Sequence, residues 1–512
     1  MRYSKNGSLP LFLQSILMTI NRISTGISGL DNILFGGLIS SQTYLIRGKP
    51  GSGKTTLGFH FLKEGVSQGE TSLFISFNES ESRLRRNAQL IGIDLERVEF
   101  LDLSTTADFF TEDQRYDIFS PAEVEKAPVT KQLVDAIEQT NPQRIFLDAI
   151  TQFRFLSANT FEFRKQIQSF LRFVVDRDIT LLLTSEGNDR NPDDDLQFMS
   201  DGIIELHSTI NKRCIQVHKI RGSGFNKGHH DLKLDETGMT VFPNLVLDTR
   251  QRPRNKELEI ISSGIPEIDE LLNGGIERGT TTIISGASGV GKSTFGIQFM
   301  KEAAGRGERS VLYAFEESED TILKRCEAVN IPVHATIEKG TLLVVNVEPL
   351  KYSPNQFIHL VRTEVEQNQA KIVAIDSTSG YKLLMERDNL IRQLHSLCQY
   401  LKNMGVTVIL INETHTIAGG EFSVTEVGLS YLADNLIFLR YLEINGALHK
   451  AIGVLKKRVS NFERTLREFE ITKYGIKVGE PLTYLRGILN GIPRSTDNPS
   501  KNKGKDGKIS NG

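Results

Sequence analysis

The chain contains one long internal repeat, and this repeat constrains its fold more than any other feature. When the sequence is shifted by 238 residues, residues 22–93 align with residues 260–331 without a gap, and 27 of the 72 positions are identical. A second match places residues 213–221 on residues 450–458. Solenoid repeats have periods of about 20 to 50 residues, so a period this long predicts a duplicated domain.

The ends of the chain and the segment between the repeats lack the pattern of a folded core. Residues 9–20 form an apolar run after two cations, as in a short secretion signal, but no small-residue cleavage site follows cleanly. Secretion is therefore not expected, and Met18 is an alternative start. The polar end of the chain, rich in Lys, Gly and Asn, is typical of disorder. The predicted organisation is an N-terminal extension at 1–21, a first domain at 22–246, a linker at 247–259, a second domain at 260–494 and a disordered tail at 495–512.

Each half alternates strand-like and helix-like segments. In the first half an apolar run at 43–48 is followed by an amphipathic stretch at 55–69 and by a second apolar run at 71–77. Strands that alternate with helices of this length predict an α/β fold with a mostly parallel sheet covered on both faces. The alternating segments 202–207 and 213–221 are typical of antiparallel edge strands.

Composition excludes several classes of protein. The 512 residues carry 61 Lys and Arg against 63 Asp and Glu, so the net charge of −2 gives no electrostatic footprint for nucleic acid. The cysteines Cys214, Cys326 and Cys398 lie far apart without a C-x-x-C pair, which argues against a disulfide scaffold or a zinc ribbon. Cys326 and Cys398 fall in helix-like stretches and are expected to be buried. We expect a cytoplasmic protein without a membrane or nucleic-acid partner.

Two glycine-rich motifs predict nucleotide sites. Residues 48–55 and 286–293 both fit G-x4-G-K-[ST], each between a predicted strand and a predicted helix. Glycines allow backbone N–H groups to wrap a polyphosphate, and the helix directs its positive end towards it. Lys54 and Lys292 are expected to reach the β and γ oxygens. The residues predicted to bind ATP are Gly48, Gly51, Ser52, Gly53, Lys54, Thr55 and Thr56, and Gly286, Ser288, Gly289, Val290, Gly291, Lys292, Ser293 and Thr294.

A magnesium ion is predicted beside each motif. Thr55 and Ser293, the last residues of the two motifs, supply hydroxyl ligands. Asp148 and Asp376 each end an apolar strand-like run, and a carboxylate there orders the metal and its waters. The alternative for these aspartates is that each caps the next helix.

Hydrolysis requires a base near the attacking water, and the two halves differ in this respect. Glu316 and Glu317 follow the strand-like run 312–315, whereas the equivalent residues of the first half are Asn78 and Glu79. A carboxylate accepts a proton from water, but an amide does not. We expect firm ATP binding with slow hydrolysis in the first half and a more competent site in the second. The alternative is that Glu79 alone suffices.

These motifs together resemble the KaiC family of clock ATPases. The resemblance rests on G-x4-G-K-[ST] in duplicate, on F-N-E at 77–79 and F-E-E at 315–317, and on K-x-R at 219–221 and 456–458. It implies two tandem RecA-like P-loop NTPase domains and an ATP-dependent homohexamer of stacked rings. The second half would carry autokinase and autophosphatase activity. By position, Glu316 and Glu317 correspond to the family's catalytic carboxylates.

The resemblance also assigns contacts between subunits and a site of phosphorylation. The cations Lys219, Arg221, Lys456 and Arg458 correspond to residues that reach the neighbouring subunit's ATP. From the residues alone they would be surface cations on an edge strand. Ser430 corresponds to a phosphoacceptor, and Tyr431 stands where the family has a second acceptor, Thr. This departure favours a signalling ATPase over a true oscillator, with other signalling proteins as further partners.

Two other classes of protein remain open. A RecA-type or RadA-type recombinase or a replicative helicase would need basic loops lining a ring. The cluster Arg83, Arg85 and Arg86 is small and more typical of a solvated helix face. A scaffold that uses ATP to hold subunits together, with little catalysis, is compatible with Asn78 but not with intact Glu316 and Glu317.

Overall fold

A computed structural model describes most of the chain. The described residues are 21–104, 123–151, 160–186, 193–209, 212–245, 259–385, 390–414, 429–444, 446–488 and 494–495. The predictions for the N-terminal extension, Met18, nearly all of the linker and the tail fall outside them. The chain divides into two compact units, residues 1–244 and 245–512.

The first unit follows the predicted alternation of strands and helices. Its elements are β1 (Arg22–Ile23), α1 (Ser28–Ile33), β2 (Leu38–Ile39), β3 (Thr43–Gly48), α2 (Lys54–Ser67), β4 (Ser72–Ser76), α3 (Glu81–Leu90), β5 (Glu99–Asp102), α4 (Glu123–Thr140), β6 (Arg144–Asp148), α5 (Thr160–Val175), β7 (Thr180–Ser185), α6 (Asp194–Met199), β8 (Gly202–Ser208), β9 (Arg213–Ile220), β10 (His230–Asp235) and β11 (Gly238–Phe242).

The second unit repeats most of this order, with two additional short helices, two additional short strands at its end and a 3-10 turn in place of α6. Its elements are β12 (Ile260–Ile261), α7 (Pro266–Leu271), β13 (Ile276–Glu277), β14 (Thr281–Gly286), α8 (Lys292–Gly305), β15 (Ser310–Ala314), α9 (Glu319–Ala328), α10 (His334–Glu338), β16 (Leu342–Asn346), α11 (Pro354–Glu366), β17 (Ile372–Asp376), α12 (Thr378–Lys382), α13 (Leu390–Asn403), β18 (Thr407–Glu413), a 3-10 turn (Leu429–Tyr431), β19 (Asn435–Ile444), β20 (Ala447–Lys457), β21 (Arg467–Thr472), β22 (Gly475–Pro481), β23 (Leu485–Arg486) and β24 (Arg494–Ser495).

Each unit has one nine-stranded sheet, which confirms the predicted α/β class. The order is β11-β10-β9-β8-β3-β7-β6-β4-β5 in the first unit and β16-β15-β17-β18-β14-β19-β20-β21-β22 in the second. Six strands of each sheet are mutually parallel, and the last three in chain order are antiparallel. The strand that carries the phosphate loop lies in the interior of the sheet, with neighbours on both sides.

The prediction of antiparallel edge strands needs one correction. The segment 202–207 falls in β8, which is parallel to β3 and antiparallel to β9, and neither β8 nor β9 lies at an edge. The chain reaches β8 through a crossover that contains α6, and a crossover returns the chain in the parallel direction. The hairpin to β9 then reverses it.

Apolar residues cover both faces of each sheet. In β3, Tyr44 and Ile46 join the cluster beneath α2, whereas Leu45 joins the cluster on the other face. Ile284 and Ile283 of β14 divide in the same way. Cys326 and Cys398 are buried in this core as predicted. Because the parallel strands are buried on both faces, they appear as continuous apolar runs in the sequence.

Candidate nucleotide site

The two glycine-rich motifs form the same loop. Each joins the carboxyl end of a strand to a long helix, and the residue before each helix, Gly53 or Gly291, has a left-handed backbone with φ of 104° or 114°. A Cβ atom at Gly48 would lie 2.6 Å from the Leu206 carbonyl oxygen. Glycine is therefore required both for backbone conformation and for close strand packing.

The loops have features of a cradle for an anion. The hydroxyl of Ser52 is buried and makes no hydrogen bond in the described structure, so a polar partner would satisfy it. Gly51 has open space where a Cβ atom would lie, with φ of 76°. Of the other predicted loop residues, Val290 and Thr294 are buried and Thr56 is half-buried.

The two lysines of the motifs are buried at the start of their helices. Lys54 Nζ donates to the Gly48 carbonyl at 2.7 Å, and Lys292 Nζ donates to the Ala287 carbonyl at 2.9 Å. Burial lowers the pKa of both ammonium groups, while nearby carboxylates oppose that shift. A buried cation bonded to loop carbonyls is suited to exchange those neutral partners for phosphate oxygens.

The predicted magnesium ligands meet in both halves. Thr55 Oγ1 donates to Asp148 Oδ2 at 2.7 Å, and Thr184 Oγ1 donates to the other carboxylate oxygen at 2.6 Å. Ser293 makes the equivalent hydrogen bond to Asp376. Burial raises the pKa of Asp376, against the hydrogen bond from Ser293 and the charge of Arg325. A hydroxyl and a carboxylate are oxygen ligands of the kind Mg²⁺ prefers, so these residues fit that ion.

In the second half these groups line one cavity of about 390 Å³. Lys292, Ser293 and Asp376 share its wall with Glu316 and Glu317. The cavity thus joins a phosphate loop, a metal ligand pair and a carboxylate pair, which is the set that hydrolysis of a polyphosphate requires. Its lining also contains Ser288, Gly289, Gly291, Thr294, Ala314, Arg325, Val329, Ser377, Ile411, Glu413, Lys450 and Ile471.

The two carboxylates of the pair have different surroundings. Glu316 Oε1 accepts a hydrogen bond from Ser377 Oγ at 2.7 Å, so a neutral group orients it. Glu317 lies 2.6 Å from Arg325 Nη1 in an ion pair. The carboxylate of Glu317 is thus engaged by a guanidinium, whereas a neutral hydroxyl holds the carboxylate of Glu316 in the cavity wall. Glu316 is therefore the better candidate for a base.

The first half lacks both members of this hydrogen bond. Asn78 stands at the position of Glu316, and Ala149 follows Asp148 where Ser377 follows Asp376. Glu79 corresponds to Glu317, and its partners are Arg83 at 3.2 Å and Asn87 at 3.4 Å. The first half therefore carries the phosphate loop and metal ligands without the oriented carboxylate.

Lys219 and Arg221, two of the predicted intersubunit cations, lie near the end of β8 that is opposite to their own phosphate loop. Gly48 pairs with Leu206 of β8, whereas Gly202, at the other end of β8, pairs with Ile220. Four residues of a parallel strand span about 13 Å. Lys219 and Arg221 flank Ile220, and Arg221 is 52% exposed. These two cations are thus separated from the phosphates of their own site.

The corresponding strand end of the second unit carries the other two cations, Lys456 and Arg458, together with the predicted phosphoacceptors. Lys456 Nζ donates to the Ser430 carbonyl at 3.0 Å, and Arg458 Nη2 donates to the Tyr431 carbonyl at 2.9 Å. Ser430 and Tyr431 are both exposed in the turn that precedes β19. Because β19 is parallel to β14, this turn lies opposite to the second phosphate loop. The structure therefore groups Ser430 with these cations and not with Lys292.

Four polar or charged cavity residues were not found from the sequence. Arg325 and Ser377 hold the two glutamates, and Glu413 and Lys450 add a carboxylate and an ammonium. One signal was available for Glu413, which ends an apolar strand-like run as Asp376 does. Nothing local marks Arg325, because its role follows from how α9 packs beside the strand that precedes Glu316.

The arginine cluster of the first half has partners within its own unit. Arg85 Nε donates to Glu81 at 2.7 Å and its Nη2 donates to the Val98 carbonyl at 3.0 Å. Arg83 pairs with Glu79. These contacts are those of structural residues, which gives no support to a DNA-binding role. In the described part of the chain, no helix is long and apolar enough to cross a membrane.

The fold and the two loops define a tandem RecA-like P-loop NTPase. The family model of the KaiC ATPase matches residues 23–246 and 261–483. The chain belongs to the KaiC ATPase family, and it is a KaiC-like ATP-binding protein.

Curated relatives cover nearly the whole chain. The circadian clock oscillator protein KaiC of Prochlorococcus marinus (strain MIT 9313) is 26% identical over 490 residues, which span 94% of this chain and 97% of that relative. The circadian clock protein KaiC3 of Synechocystis sp. is 25% identical over 93% of this chain and 95% of its own length. The KaiC of Picosynechococcus sp. is 27% identical over 93% of this chain and 92% of its own length.

Proposed function

We propose that this protein is a signalling ATPase that binds Mg²⁺ and ATP in both halves and hydrolyses ATP mainly in the second. The observation that carries this proposal is the second-half cavity, where Lys292, the pair Ser293–Asp376 and Glu316 face one space. The ion would supply charge neutralisation of the phosphates there. A cytoplasmic location and domain limits at 22–246 and 260–494 are part of the proposal.

Each residue has a distinct role in the proposed reaction. Lys292 exchanges the Ala287 carbonyl for a phosphate oxygen, and its charge offsets the negative charge that develops in the transition state. Glu316, oriented by Ser377, accepts the proton of the attacking water. Glu317 fixes Arg325 at the rim of the same cavity. In the first half Glu79 is the remaining acidic candidate, and the absence of a carboxylate at position 78 supports slow turnover.

A homohexamer is proposed to complete each site. The four intersubunit cations lie at the strand ends opposite to their own phosphate loops, so a neighbouring copy is the source of any phosphate they contact. These cations are Lys219, Arg221, Lys456 and Arg458. Cations supplied across an interface would offset phosphate charge once the ring assembles. This arrangement makes assembly dependent on ATP. Further partners would be other signalling proteins.

Autophosphorylation is proposed at Ser430, with Tyr431 as the second candidate. Both side chains are exposed beside Lys456 and Arg458. Transfer would therefore occur between subunits. The Ser430 hydroxyl would attack the γ-phosphorus and lose its proton to a base of the neighbouring site, while the bond from the γ-phosphorus to the bridging oxygen breaks and ADP leaves. Incubation with labelled ATP, followed by phosphosite mapping of wild type, Ser430→Ala and Tyr431→Phe, tests this step. Label that remains in Ser430→Ala and disappears in Tyr431→Phe would reassign the acceptor.

Steady-state phosphate release tests the hydrolytic role. A general base contributes about 10²–10⁴-fold, so Glu316→Gln should lower turnover by that factor while binding of a non-hydrolysable ATP analogue persists. The matched control is Asp320→Asn, a 73% exposed carboxylate on α9 paired with Lys324. Lys292→Ala should remove one of two analogue molecules bound per chain. Unchanged turnover in Glu316→Gln would exclude Glu316 as the base, whereas a wild type that binds ATP without turnover would favour the scaffold alternative.

A further inference from the structure

A cluster of imidazoles and a carboxylate lies on the hairpin of β8 and β9. Glu205 and His207 are two residues apart on β8 and thus share a face of the sheet. His218 comes from β9, at the register shift where the ladder passes from the pair Ile203–Lys219 to the pair Ile204–Val217. His218 is two residues from Gln216, the direct partner of Glu205 in the ladder, so it lies on the same face of the sheet as Glu205.

The distances within this cluster suit a metal ion. Glu205 Oε2 lies 2.8 Å from His218 Nε2 and 3.7 Å from His207 Nε2, and one ligand atom from each residue lies within 4.8 Å of the others. In a tetrahedral zinc site with bonds of 2.0–2.1 Å, ligand atoms are about 3.3 Å apart. Small side-chain rotations would bring all three to that separation.

One atom of the cluster points independently to a missing partner. His207 Nε2 is buried, and it makes no hydrogen bond in the described structure. The His207 ring packs edge-on against His229, with centroids 5.4 Å apart, which fixes its orientation towards Glu205. A buried, unsatisfied ring nitrogen costs free energy unless a ligand occupies it.

We propose that Glu205, His207 and His218 bind a borderline divalent cation of the zinc class. Two imidazoles and one carboxylate are ligands that Zn²⁺ and Co²⁺ accept, whereas Mg²⁺ prefers oxygen alone. Binding releases the proton held between Glu205 and His218 to solvent, and both imidazoles coordinate in the neutral form. Because the His218 side chain is 38% exposed, water has access to the fourth position.

Arg47 is the charged group that competes for the carboxylate. Its Nη1 lies 3.6 Å from Glu205 Oε2, a distance typical of a weak ion pair. Its Nε donates to Asp193 at 2.8 Å, so the guanidinium keeps a carboxylate partner when Glu205 turns to the metal. Burial raises the pKa of the neighbouring Cys214 thiol, which contacts His229 and is not needed as a ligand.

The second half provides an internal comparison. The residues that correspond to Glu205, His207 and His218 there are Phe438, Arg440 and Leu455. None of these replacements is a ligand for this class of ion. Among the described residues the proposed site therefore occurs once, whereas the phosphate-loop magnesium sites would occur twice. Stoichiometry separates the two kinds of site.

Cobalt titration of the metal-stripped, nucleotide-free full chain tests the proposal. Excess Mg²⁺ is present to compete at the phosphate loops. We expect one Co²⁺ per chain with the intense visible absorption of a tetrahedral ion, displaced by Zn²⁺. His207→Arg and His218→Leu introduce the residues of the second half at these positions, and each should weaken binding by at least about 100-fold, more than loss of an outer-shell partner.

The control variant is His449→Asn, since His449 pairs with Glu468 at 2.8 Å on β20 and β21. It should bind Co²⁺ like wild type. Far-ultraviolet circular dichroism and the metal-free unfolding temperature verify that each variant is folded. Three results would overturn the proposal: no Co²⁺ retained against Mg²⁺, two ions per chain, or binding unchanged in both His207→Arg and His218→Leu.

Discussion

Lys457 is a buried structural cation, although the cations on either side of it, Lys456 and Arg458, are predicted to contact a neighbouring subunit. Its side chain is 0% exposed and lies 2.9 Å from Glu277, which is 1% exposed. Its Nζ also donates to the carbonyls of Leu272 and Gly275. Burial raises the pKa of Glu277, but hydrogen bonds from Ser460 and Lys457 outweigh it, so the net pKa lies below its usual value and the pair is charged.

The first half holds the same two carbonyls in another way. There Arg22 Nη1 donates to the carbonyls of Leu34 and Gly37 at 2.6 and 2.8 Å. The positions of Glu277 and Lys457 are occupied by Ile39 and Ile220. The cation that donates to these two carbonyls therefore comes from β1 in the first half and from β20 in the second, whereas the carbonyls occupy corresponding positions in both halves.

Lys457→Met should strongly destabilise the second unit. Removal of one partner from a buried ion pair costs about 3–5 kcal/mol because the other charge stays buried without compensation. A loss of 1 kcal/mol lowers the unfolding temperature of a unit this size by about 2–4 °C, so the expected decrease is about 6–20 °C. Lys456→Met is the matched control, since Lys456 bonds one exposed carbonyl, and it should shift that temperature little.

A second variant isolates the cause. Combining Lys457→Ile and Glu277→Ile with Ile260→Arg installs the arrangement of the first half, because Ile260 corresponds to Arg22. Stability should return to within about 1–2 kcal/mol of wild type, as expected when a buried pair is replaced as a unit. Calorimetry of the nucleotide-free chain measures both variants. If Lys457→Met unfolds within 2 °C of wild type, the reasoning about the buried pair is refuted.

Three further predictions concern pH and the difference between the halves. Burial raises the pKa of Asp376, so the charge of this carboxylate opposes folding. Asp376→Asn should therefore raise the unfolding temperature at pH 8, and the gain should become smaller as pH falls. Calorimetry of the nucleotide-free chain measures this temperature. An equal gain at pH 8 and at pH 3, where the carboxyl group is largely protonated in both states, would contradict this. Burial lowers the pKa of His60 from 6.5 to about 4. The free energy of unfolding should therefore decrease by up to about 3 kcal/mol as pH falls through this window, because only the unfolded state takes up the proton there. In His60→Gln, the free energy of unfolding measured by urea denaturation should depend less on pH in this window. In a Glu316→Gln background, Asn78→Glu with Ala149→Ser should increase phosphate release at least tenfold over Glu316→Gln alone, whereas no increase would mean that the first half lacks more than this hydrogen bond.

The phosphate loops were predictable because their requirements are local. Gly53 and Gly291 need a left-handed backbone at one position between a strand and a helix, and such a requirement appears as a short pattern. The pairing of Thr55 with Asp148 was also predictable, since carboxyl ends of parallel strands meet at one edge of a sheet. The parallel direction of β8 was missed because alternation of side chains does not report strand direction.

The ion-pair partners of charged side chains could not be predicted from the sequence. Lys456, Lys457 and Arg458 are three adjacent cations, yet two face solvent and the third is buried against Glu277, which is 180 residues away. The alternation of side chains along a strand predicts that Lys457 faces the opposite side of the sheet from its two neighbours. It does not predict that the Glu277 carboxylate lies on that side. The role of Arg325 is similarly set by packing between α9 and the strand before Glu316. Such pairings depend on tertiary contacts, which leave no local pattern.

The two halves differ most where chemistry would occur, and the differences are coupled. Replacement of Glu316 by Asn78 in the first half is accompanied by Ala149 in place of Ser377, the residue that orients Glu316. An amide carbonyl still accepts a hydrogen bond from a hydroxyl, but an amide does not take a proton from water, so a serine at position 149 would orient no base there. Thr55 and Asp148, in contrast, keep their hydrogen bond. The first half thus retains what a nucleotide needs in order to bind and lacks a pair needed to orient a base. We infer that binding and turnover are divided between the halves.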